Sequence, residues 1–446
     1  MPDAALTGAT TELLQALIRN ACVNDGTPDS GDETRSADLL QGFLEGAGLD
    51  TQRFESLPGR GSIVARIEGS DPHAPSLCLM GHTDVVPVSP DGWDHDPFGG
   101  ELIDGEVWGR GAIDMLNLTS SMAVAFRHLA RTGFRPKGDL IYFGVADEEA
   151  GGVWGAEWMF DHHPEAVDAD YVLTELGGWS HLDPHGDRHV TVNIGEKGLS
   201  WRKLTVRGTP GHGSMPFGSD NALVKAAEIV RRLAEYRTSP LISDTWRAQV
   251  LAMGLPAELQ TALLDPASVY DTIASLPVPL ARSCHALTHT TISPNVARGG
   301  QKTNVIPDKV DIEVDIRTVP GTTRADVDAM LADALGDLAP HVEIVVLQEG
   351  ESTQSPMGNP LWDSVVKNTQ VAYPGAHIVP GLIVGGTDAR FYRDRGRVAY
   401  GAGLFSPNMT RETFGARFHG HNERVDVETL ALSTEFWIGI ARDLLG

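Results

Sequence analysis

Positive charge is scarce in this sequence. Of 446 residues, 35 are Lys or Arg and 60 are Asp or Glu, which gives a formal net charge of −25 at pH 7. A protein that binds a phosphate backbone needs a basic face, and no run of Lys or Arg is visible along the chain. We therefore exclude nucleic acid and anionic membrane surfaces from the expected partners.

Cysteine and long apolar runs are also scarce. The three cysteines, Cys22, Cys78 and Cys284, are widely spaced and form no CxxC pair, which is typical of a reducing compartment and not of a disulfide framework. No apolar run approaches membrane-spanning length. The N-terminal segment has neither a basic start nor an apolar core, so we expect an amphipathic helix there and no signal peptide. These features predict a soluble, cytoplasmic protein.

The chain has the length and apolar content for two domains, since 41% of its 446 residues are hydrophobic. From about residue 10 to 200, strand and helix patterns alternate, which predicts an α/β layer. From 199 to 349 the order of elements predicts a split-βαβ, ferredoxin-like domain, with an irregular helical insertion at about 240–285. We predict a two-domain α/β protein in which 1–198 and 350–446 form the larger domain and 199–349 is inserted into it.

The stretch MGHTDVVPV, residues 80–88, ends an apolar strand on polar groups. The preceding run SLCLM reads as a strand that is buried on both faces, as in a parallel sheet. His82 and Asp84 follow at once. Taken alone, His82 is explained equally well as a solvated loop residue and Asp84 as a cap.

Other carboxylates and imidazoles lie at the ends of further predicted segments. In an open α/β sheet, ligands bind outside the carboxyl ends of the strands, so such groups are expected to converge at one edge. Singly, each has an ordinary alternative as a strand end, a cap or a surface loop. Two imidazoles and three carboxylates suit two zinc-like ions that share one carboxylate, which leaves one carboxylate as a proton carrier. The candidates are His82, Asp84, Asp114, Glu148, Glu149, Glu175 and His419.

Seven motifs occur in the order that is typical of one enzyme family. They are GHTDVVPV, GWDHDPFGGELIDGEVWGRGAIDM, DEEAGG, GTPGHGSMP, TNVIPDKVDIEVDIR, GGTDARF and HGHNE. By these motifs the chain resembles the co-catalytic zinc amidohydrolases, which include aminoacylase, acetylornithine deacetylase, succinyl-diaminopimelate desuccinylase and glutamate carboxypeptidase. The resemblance runs from about residue 10 to the C-terminus. It implies a zinc-peptidase-like catalytic domain with an inserted dimerisation or lid domain.

The resemblance also implies a metal site. His82 and Glu175 resemble the ligands of one ion, Glu149 and His419 those of the second, and Asp114 the bridging carboxylate. The implied cofactor is two divalent metal ions per chain, zinc first, with cobalt or manganese as alternatives.

Two further residues would support this site. Glu148 resembles the general base, which takes a proton from the attacking water and returns it to the leaving amine. Asp84 would orient the imidazole of His82. The family's last ligand is the His of an H-x-x-N-E pattern, which selects His419, with the neighbouring His421 left as the alternative.

In the family, the middle domain pairs two subunits and offers a histidine to the partner's site. His212 resembles that residue and Asn304 its companion, so the resemblance implies a homodimer. Arg317 resembles the group that binds the substrate carboxylate, a task that suits a planar guanidinium, and Thr387 is a candidate substrate contact. The ordinary alternatives are a turn histidine and an outward-facing strand arginine. Leu116 stands where the family commonly has Lys, a position that is not a metal ligand.

The expected reaction is hydrolysis of an amide bond next to a free carboxylate. Two classes of small-molecule substrate fit, N-acyl amino acids on the one hand and dipeptides or short peptides on the other. Glu175 resembles the aminoacylases, deacylases and the carboxypeptidase, whereas Asp is more frequent at that position in the dipeptidases, so the acyl class is favoured. The alternative of another class is a non-catalytic binding protein on the same fold, which would be expected to lack the base or a ligand.

Overall fold

The computed structural model describes residues 2–446. Its helices are α1 (Ala4–Asn20), α2 (Thr34–Glu45), α3 (Leu116–Arg131), α4 (Trp158–His162), α5 (Pro164–Val167), α6 (Ala222–Glu235), α7 (Asp244–Ala252), α8 (Ala257–Leu264), α9 (Val269–Ala274), α10 (Val278–Thr288), α11 (Arg324–Leu335), α12 (Pro360–Ala372), α13 (Ala389–Arg393), α14 (Arg411–Arg417) and α15 (Val427–Leu445). Its strands are β1 (Thr51–Glu55), β2 (Gly61–Ile67), β3 (Leu77–His82), β4 (Glu101–Ile103), β5 (Glu106–Trp108), β6 (Leu140–Val145), β7 (Tyr171–Thr174), β8 (Ser180–Leu182), β9 (Arg188–Glu196), β10 (Gly198–Arg207), β11 (Gly211–His212), β12 (Thr291–Gly299), β13 (Val305–Ile306), β14 (Lys309–Thr318), β15 (Val342–Gly350), β16 (Thr353–Gln354), β17 (His377–Ile383), β18 (Val398–Gly401) and β19 (Arg424–Asp426).

The chain divides into two compact units. The first contains the described residues up to Gly195 together with Ser355–Gly381 and Thr387–Gly446. The second contains Glu196–Gln354 and the short segment Leu382–Gly386.

The first unit is built on a mixed sheet in which seven strands follow the order β1-β2-β6-β3-β7-β18-β9. The four central strands β6, β3, β7 and β18 are parallel to one another. Strands β3 and β6 are buried along their whole length, as expected where helices cover both faces of a parallel sheet. The carboxyl ends of these strands therefore meet at one edge, as the sequence predicts.

Helix α3 packs closely on strand β3, and small residues make this possible. A Cβ atom at Gly81 would lie 2.4 Å from Oγ1 of Thr119, so only glycine fits there. The hydroxyl of Thr119 donates to the carbonyl of His82 at 2.7 Å. The strand end that carries His82 is thus fixed to the helix that follows Asp114.

The second unit is a four-stranded antiparallel sheet in the order β12-β14-β10-β15. Its elements follow the chain as β10, α6, β12, β14, α11 and β15, and this confirms the predicted split-βαβ fold. Burial alternates along β14, whose buried side chains pack with those of α6 and α11. Helices α7 to α10 form a separate apolar cluster around the fully buried Trp246.

Candidate metal centre

The ends of two parallel strands and the start of helix α3 bring three side chains together. His82 is the last residue of β3, Glu175 follows β7, and Asp114 lies two residues before α3. Nε2 of His82 is 3.2 Å from Oδ1 of Asp114 and 3.7 Å from Oε2 of Glu175. All three residues are buried, and one ligand atom from each lies within 4.8 Å of the other two. This group has the composition of a cation site.

A second group shares Asp114 with the first. Nε2 of His419 lies 2.8 Å from Oδ2 of Asp114 and 3.5 Å from Oε2 of Glu149. His421 is not part of this group, because its ring packs edge-on against Trp93, with 6.5 Å between the ring centroids. The two carboxylate oxygens of Asp114 therefore face different imidazoles, as a bridging ligand requires.

The proton of His82 lies on the nitrogen that faces away from both groups. Nδ1 of His82 donates to the backbone carbonyl of Asp84 at 2.9 Å, and Oδ1 of the same residue is 3.5 Å away. A neutral imidazole that donates through Nδ1 has a free lone pair on Nε2. The nitrogen that faces Asp114 is thus available to a metal ion.

Burial and mutual repulsion shift the pKa values of the carboxyl groups in this centre. Burial, with the charge of Asp114, raises the pKa of Glu149 to about 7. Burial also raises the pKa of Glu175 to about 7, against the opposing hydrogen bond with His82. For Asp114 itself, hydrogen bonds from His419 and His82 outweigh burial and hold the pKa well below its usual value.

The imidazoles respond in the opposite direction. Burial alone would lower the pKa of His419, but hydrogen bonds with Asp114 and Glu149 outweigh it and raise the pKa to about 10. The pKa of His82 is likewise held well above its usual value by hydrogen bonds to carboxylates, in spite of burial. Without cations, the imidazoles would thus have to supply the positive charge that the carboxylates require.

The residues present fit two divalent metal ions. Imidazole nitrogen and carboxylate oxygen are the donors that zinc takes in proteins, and they also suit cobalt and manganese. Oε1 of Glu149 is buried and accepts no hydrogen bond within residues 2–446, which leaves it free for a cation. Two dications in the two groups would relieve the carboxylate repulsion that raises the pKa values of Glu149 and Glu175.

Glu148 lies beside the first group without belonging to it. Its Oε2 is 3.9 Å from Nε2 of His82, and its side chain is only 12% exposed. Burial, followed by the charge of Glu175, raises the pKa of Glu148 well above its ordinary value. A carboxyl group with a raised pKa is suited to accept and release a proton near neutral pH.

Comparison with known proteins agrees with this geometry. Residues 78–443 match the model of peptidase family M20/M25/M40. The chain belongs to this family. N-fatty-acyl-amino acid synthase/hydrolase PM20D1 of Xenopus tropicalis is 28% identical over 393 residues, which cover 86% of this chain and 75% of that protein. Aminoacylase-1 of Sus scrofa is 29% identical over 387 residues, covering 85% and 82% of the two chains.

A solved structure shows the same fold. The M20 family metallo-carboxypeptidase Sso-CP2 from Sulfolobus solfataricus has a TM-score of 0.72 at 17% identity, over 98% of this chain and 99% of that one. Family and fold confirm the resemblance seen in the motifs. This M20 protein is a metallo-hydrolase that acts on amide or peptide bonds, so the non-catalytic alternative is set aside. Within residues 2–446, no helix has the length and apolar character that crossing a membrane requires.

The remaining predicted residues lie outside the two ligand groups. His212 and Asn304 are neighbours in the second unit, where the backbone N–H of Gly213 donates to the carbonyl of Asn304 at 2.8 Å. Arg317 is in the same unit, and its Nε donates to Oδ1 of Asp315 at 2.8 Å. Thr387 is buried in the first unit.

Sequence reasoning missed a buried pair that links the two ligand loops. Glu423 accepts hydrogen bonds from Nη1 of Arg110 at 2.7 Å and from the backbone N–H groups of Ile113 and Asp114 at 2.8 and 3.3 Å. Arg110 also donates to the carbonyl of His419 at 3.3 Å. The Glu of the HGHNE motif was the available signal, because it adjoins the last ligand candidate.

Proposed function

We propose that this M20 protein is an N-acyl amino acid amidohydrolase, which cleaves the acyl amide next to a free carboxylate and releases the amino acid. The observation that carries the proposal is the sharing of Asp114 between two ligand groups, with the non-ligating Glu148 beside them. Two bound cations would supply Lewis acidity toward the scissile carbonyl and would acidify water. A dipeptidase or carboxypeptidase would use the same centre and is the alternative.

In this proposal Glu148 moves the proton. Its carboxylate takes a proton from the attacking water and delivers it to the nitrogen of the leaving amine. The raised pKa of Glu148 makes the return step favourable, because the protonated form is retained close to neutral pH.

His212 is proposed to donate a hydrogen bond to the substrate carbonyl in the site of a second subunit. The backbone N–H of Ser214 donates to Nδ1 of His212 at 3.2 Å, and the hydroxyl of Ser214 lies 2.7 Å from the same nitrogen. In the neutral ring, Nδ1 is therefore the acceptor and Nε2 carries the proton. An exposed Nε2–H is a suitable donor to a developing oxyanion, and such a role in trans requires a homodimer.

The substrate carboxylate is assigned to Arg317. The bond from its Nε to Asp315 orients the guanidinium, and within residues 2–446 its terminal nitrogens form no further hydrogen bond. Those nitrogens suit bidentate binding of a carboxylate. Asn304 and Thr387 are proposed as further substrate contacts. The acyl preference is supported by Glu175 and by the similarity to aminoacylase-1 and to the N-fatty-acyl-amino acid hydrolase.

A substrate panel tests the proposal. N-acetyl and N-fatty-acyl amino acids are compared with dipeptides of the same C-terminal residue, and amine release is measured with zinc, cobalt or manganese supplied. We expect higher kcat/KM on the acyl amino acids, and loss of turnover on matched acyl amino acid amides that lack the free carboxylate. Faster cleavage of the dipeptides would replace the proposal by the peptidase alternative.

A further inference from the structure

A buried polar cluster lies behind the metal centre and has no role in the chemistry described above. Its members Asn24, Glu33 and Arg60 are at most 3% exposed. They come from three separate loops, which follow α1, precede α2 and precede β2. Burying a cation and two other polar side chains is costly unless each is paired, so the direction of each hydrogen bond is informative.

Arg60 fixes the orientation of the Asn24 amide. Nη1 of Arg60 donates to Oε1 of Glu33 at 2.6 Å, and Nη2 donates to Oδ1 of Asn24 at 3.0 Å. The backbone N–H of Gly26 donates to the same oxygen at 3.0 Å. With two donors on its carbonyl oxygen, the amide of Asn24 has to point its NH₂ group the other way.

The NH₂ group of Asn24 points to Asp84. Nδ2 of Asn24 donates to Oδ2 of Asp84 at 2.9 Å and is 3.3 Å from Oδ1 of Asp147. The same Oδ2 of Asp84 accepts the backbone N–H of Glu149 at 3.1 Å. Its other oxygen, Oδ1, faces Nδ1 of His82 at 3.5 Å and has no hydrogen-bond partner within residues 2–446.

Asp84 therefore touches one ligand candidate from each ion site, and its own orientation depends on Asn24. We propose that Asn24, held in place by Arg60, is a positioning residue that sets the affinity of both cation sites through Asp84. Removal of the Asn24 amide would free the Asp84 carboxylate to rotate away from His82 and from the backbone of Glu149. The proposal does not rest on the substrate class, since metal affinity is measured without substrate.

Zinc affinity of the full chain tests this proposal. Metal is removed with a chelator, and zinc is titrated in competition with a chromophoric chelator. We expect Asn24→Ala to bind zinc about 10–100-fold more weakly, the usual effect of losing a residue that supports a ligand. Asn368→Ala is the matched control, because Nδ2 of Asn368 donates only within helix α12, to the carbonyl and hydroxyl of Ser364. Its zinc affinity should equal that of the wild type.

A double-mutant cycle separates positioning from general destabilisation. If Asn24 acts through Asp84, Asn24→Ala should change zinc affinity little when Asp84→Ala is already present. Asn24→Ser provides a second variant if the alanine variant does not fold, because its shorter hydroxyl can accept from Arg60 but does not reach Asp84. Wild-type zinc affinity in a folded Asn24 variant, or a full additive loss in the double variant, would overturn the proposal.

Discussion

Glu148 and Glu149 are adjacent in the sequence but face different partners. Oε2 of Glu149 lies 3.5 Å from Nε2 of His419, whereas Glu148 lies near His82 and outside both ligand groups. We therefore expect Glu148→Gln to keep its metal and to lose roughly 10²–10⁴-fold in kcat, the usual contribution of a general base.

Glu149→Gln is the matched comparison for that prediction. The same chemical change one residue later should lower metal content, because Glu149 is a ligand candidate for the second ion. Metal analysis and turnover are measured on both variants. If Glu148→Gln loses metal while Glu149→Gln keeps it, the two roles are exchanged.

At the scale of single residues, the ligand candidates were predictable and their supports were not. Polar side chains at the ends of apolar strands stand out in the sequence, which is how His82, Glu175 and Glu148 were found. Asn24 and Arg60 lie in loops of ordinary polar composition, and only the fold brings them to Asp84. The choice between His419 and His421 likewise depended on which ring meets Asp114.

Backbone conformation at the site was equally hidden from the sequence. Asp147, Leu176 and His419 have φ values of 71°, 61° and 54°, in the left-handed region that non-glycine residues seldom adopt. These residues precede Glu148, follow Glu175 and supply the last ligand candidate. Such conformations persist where the surrounding structure holds them, and they are common at functional sites.

At the scale of elements, periodicity predicted the sheets better than the insertion. The strands of both units alternate or run apolar as their burial demands, so their order was readable. The segment at about 240–285 was expected to be an irregular helical insertion, and the structure has four helices there, α7 to α10, with a core of their own. Its Pro and Leu content carries no clear period, because short helices that pack on one another need only a few apolar contacts each.

Lys197 joins helix α10 to the sheet of the second unit. Its Nζ donates to the carbonyls of Ala286 and His289 at 2.9 and 2.8 Å, at the carboxyl end of the helix. Burial, together with the charge of Arg317, lowers the pKa of Lys197 to about 7. The unfolded chain keeps the ordinary pKa near 10.5.

This difference predicts a pH dependence of stability. Between pH 7 and 10.5 the unfolded state holds a proton that the folded state has released, so the free energy of unfolding should rise with pH over that range. Lys197→Met should lose this part of the rise, and the half-exposed Lys203→Met should keep it. Urea unfolding of the three proteins at several alkaline pH values measures it; parallel pH profiles for wild type and Lys197→Met would contradict the assignment.

At the scale of the whole molecule, motif order and element order pointed to one family, and the match over residues 78–443 confirms it. Assembly was implied by resemblance alone, and the homodimer stays a prediction. It depends on His212, whose ring is exposed and held by Ser214. If His212 serves the neighbouring subunit, His212→Ala should fold, bind metal and dimerise but turn over slowly.

Mixing variants tests that arrangement directly. His212→Ala and Glu148→Gln are each expected to be inactive, but their heterodimer contains one site with an intact Glu148 and a wild-type His212 from the other chain. Co-expression with two different tags and tandem purification isolates this heterodimer, and activity should reappear in it. A purified heterodimer without activity would rule out the role in trans and leave His212 as a turn histidine.

The two-cation centre bridged by Asp114 is tested most directly by metal stoichiometry. Wild type and Asp114→Ala, purified without chelator and supplied with zinc, are analysed by native mass spectrometry, with the fold checked by circular dichroism. Because Asp114 belongs to both ligand groups, we predict two divalent ions per chain in the wild type and none retained in the folded variant. One ion per zinc-supplied wild-type chain, or one ion kept by Asp114→Ala, would contradict the bridged centre.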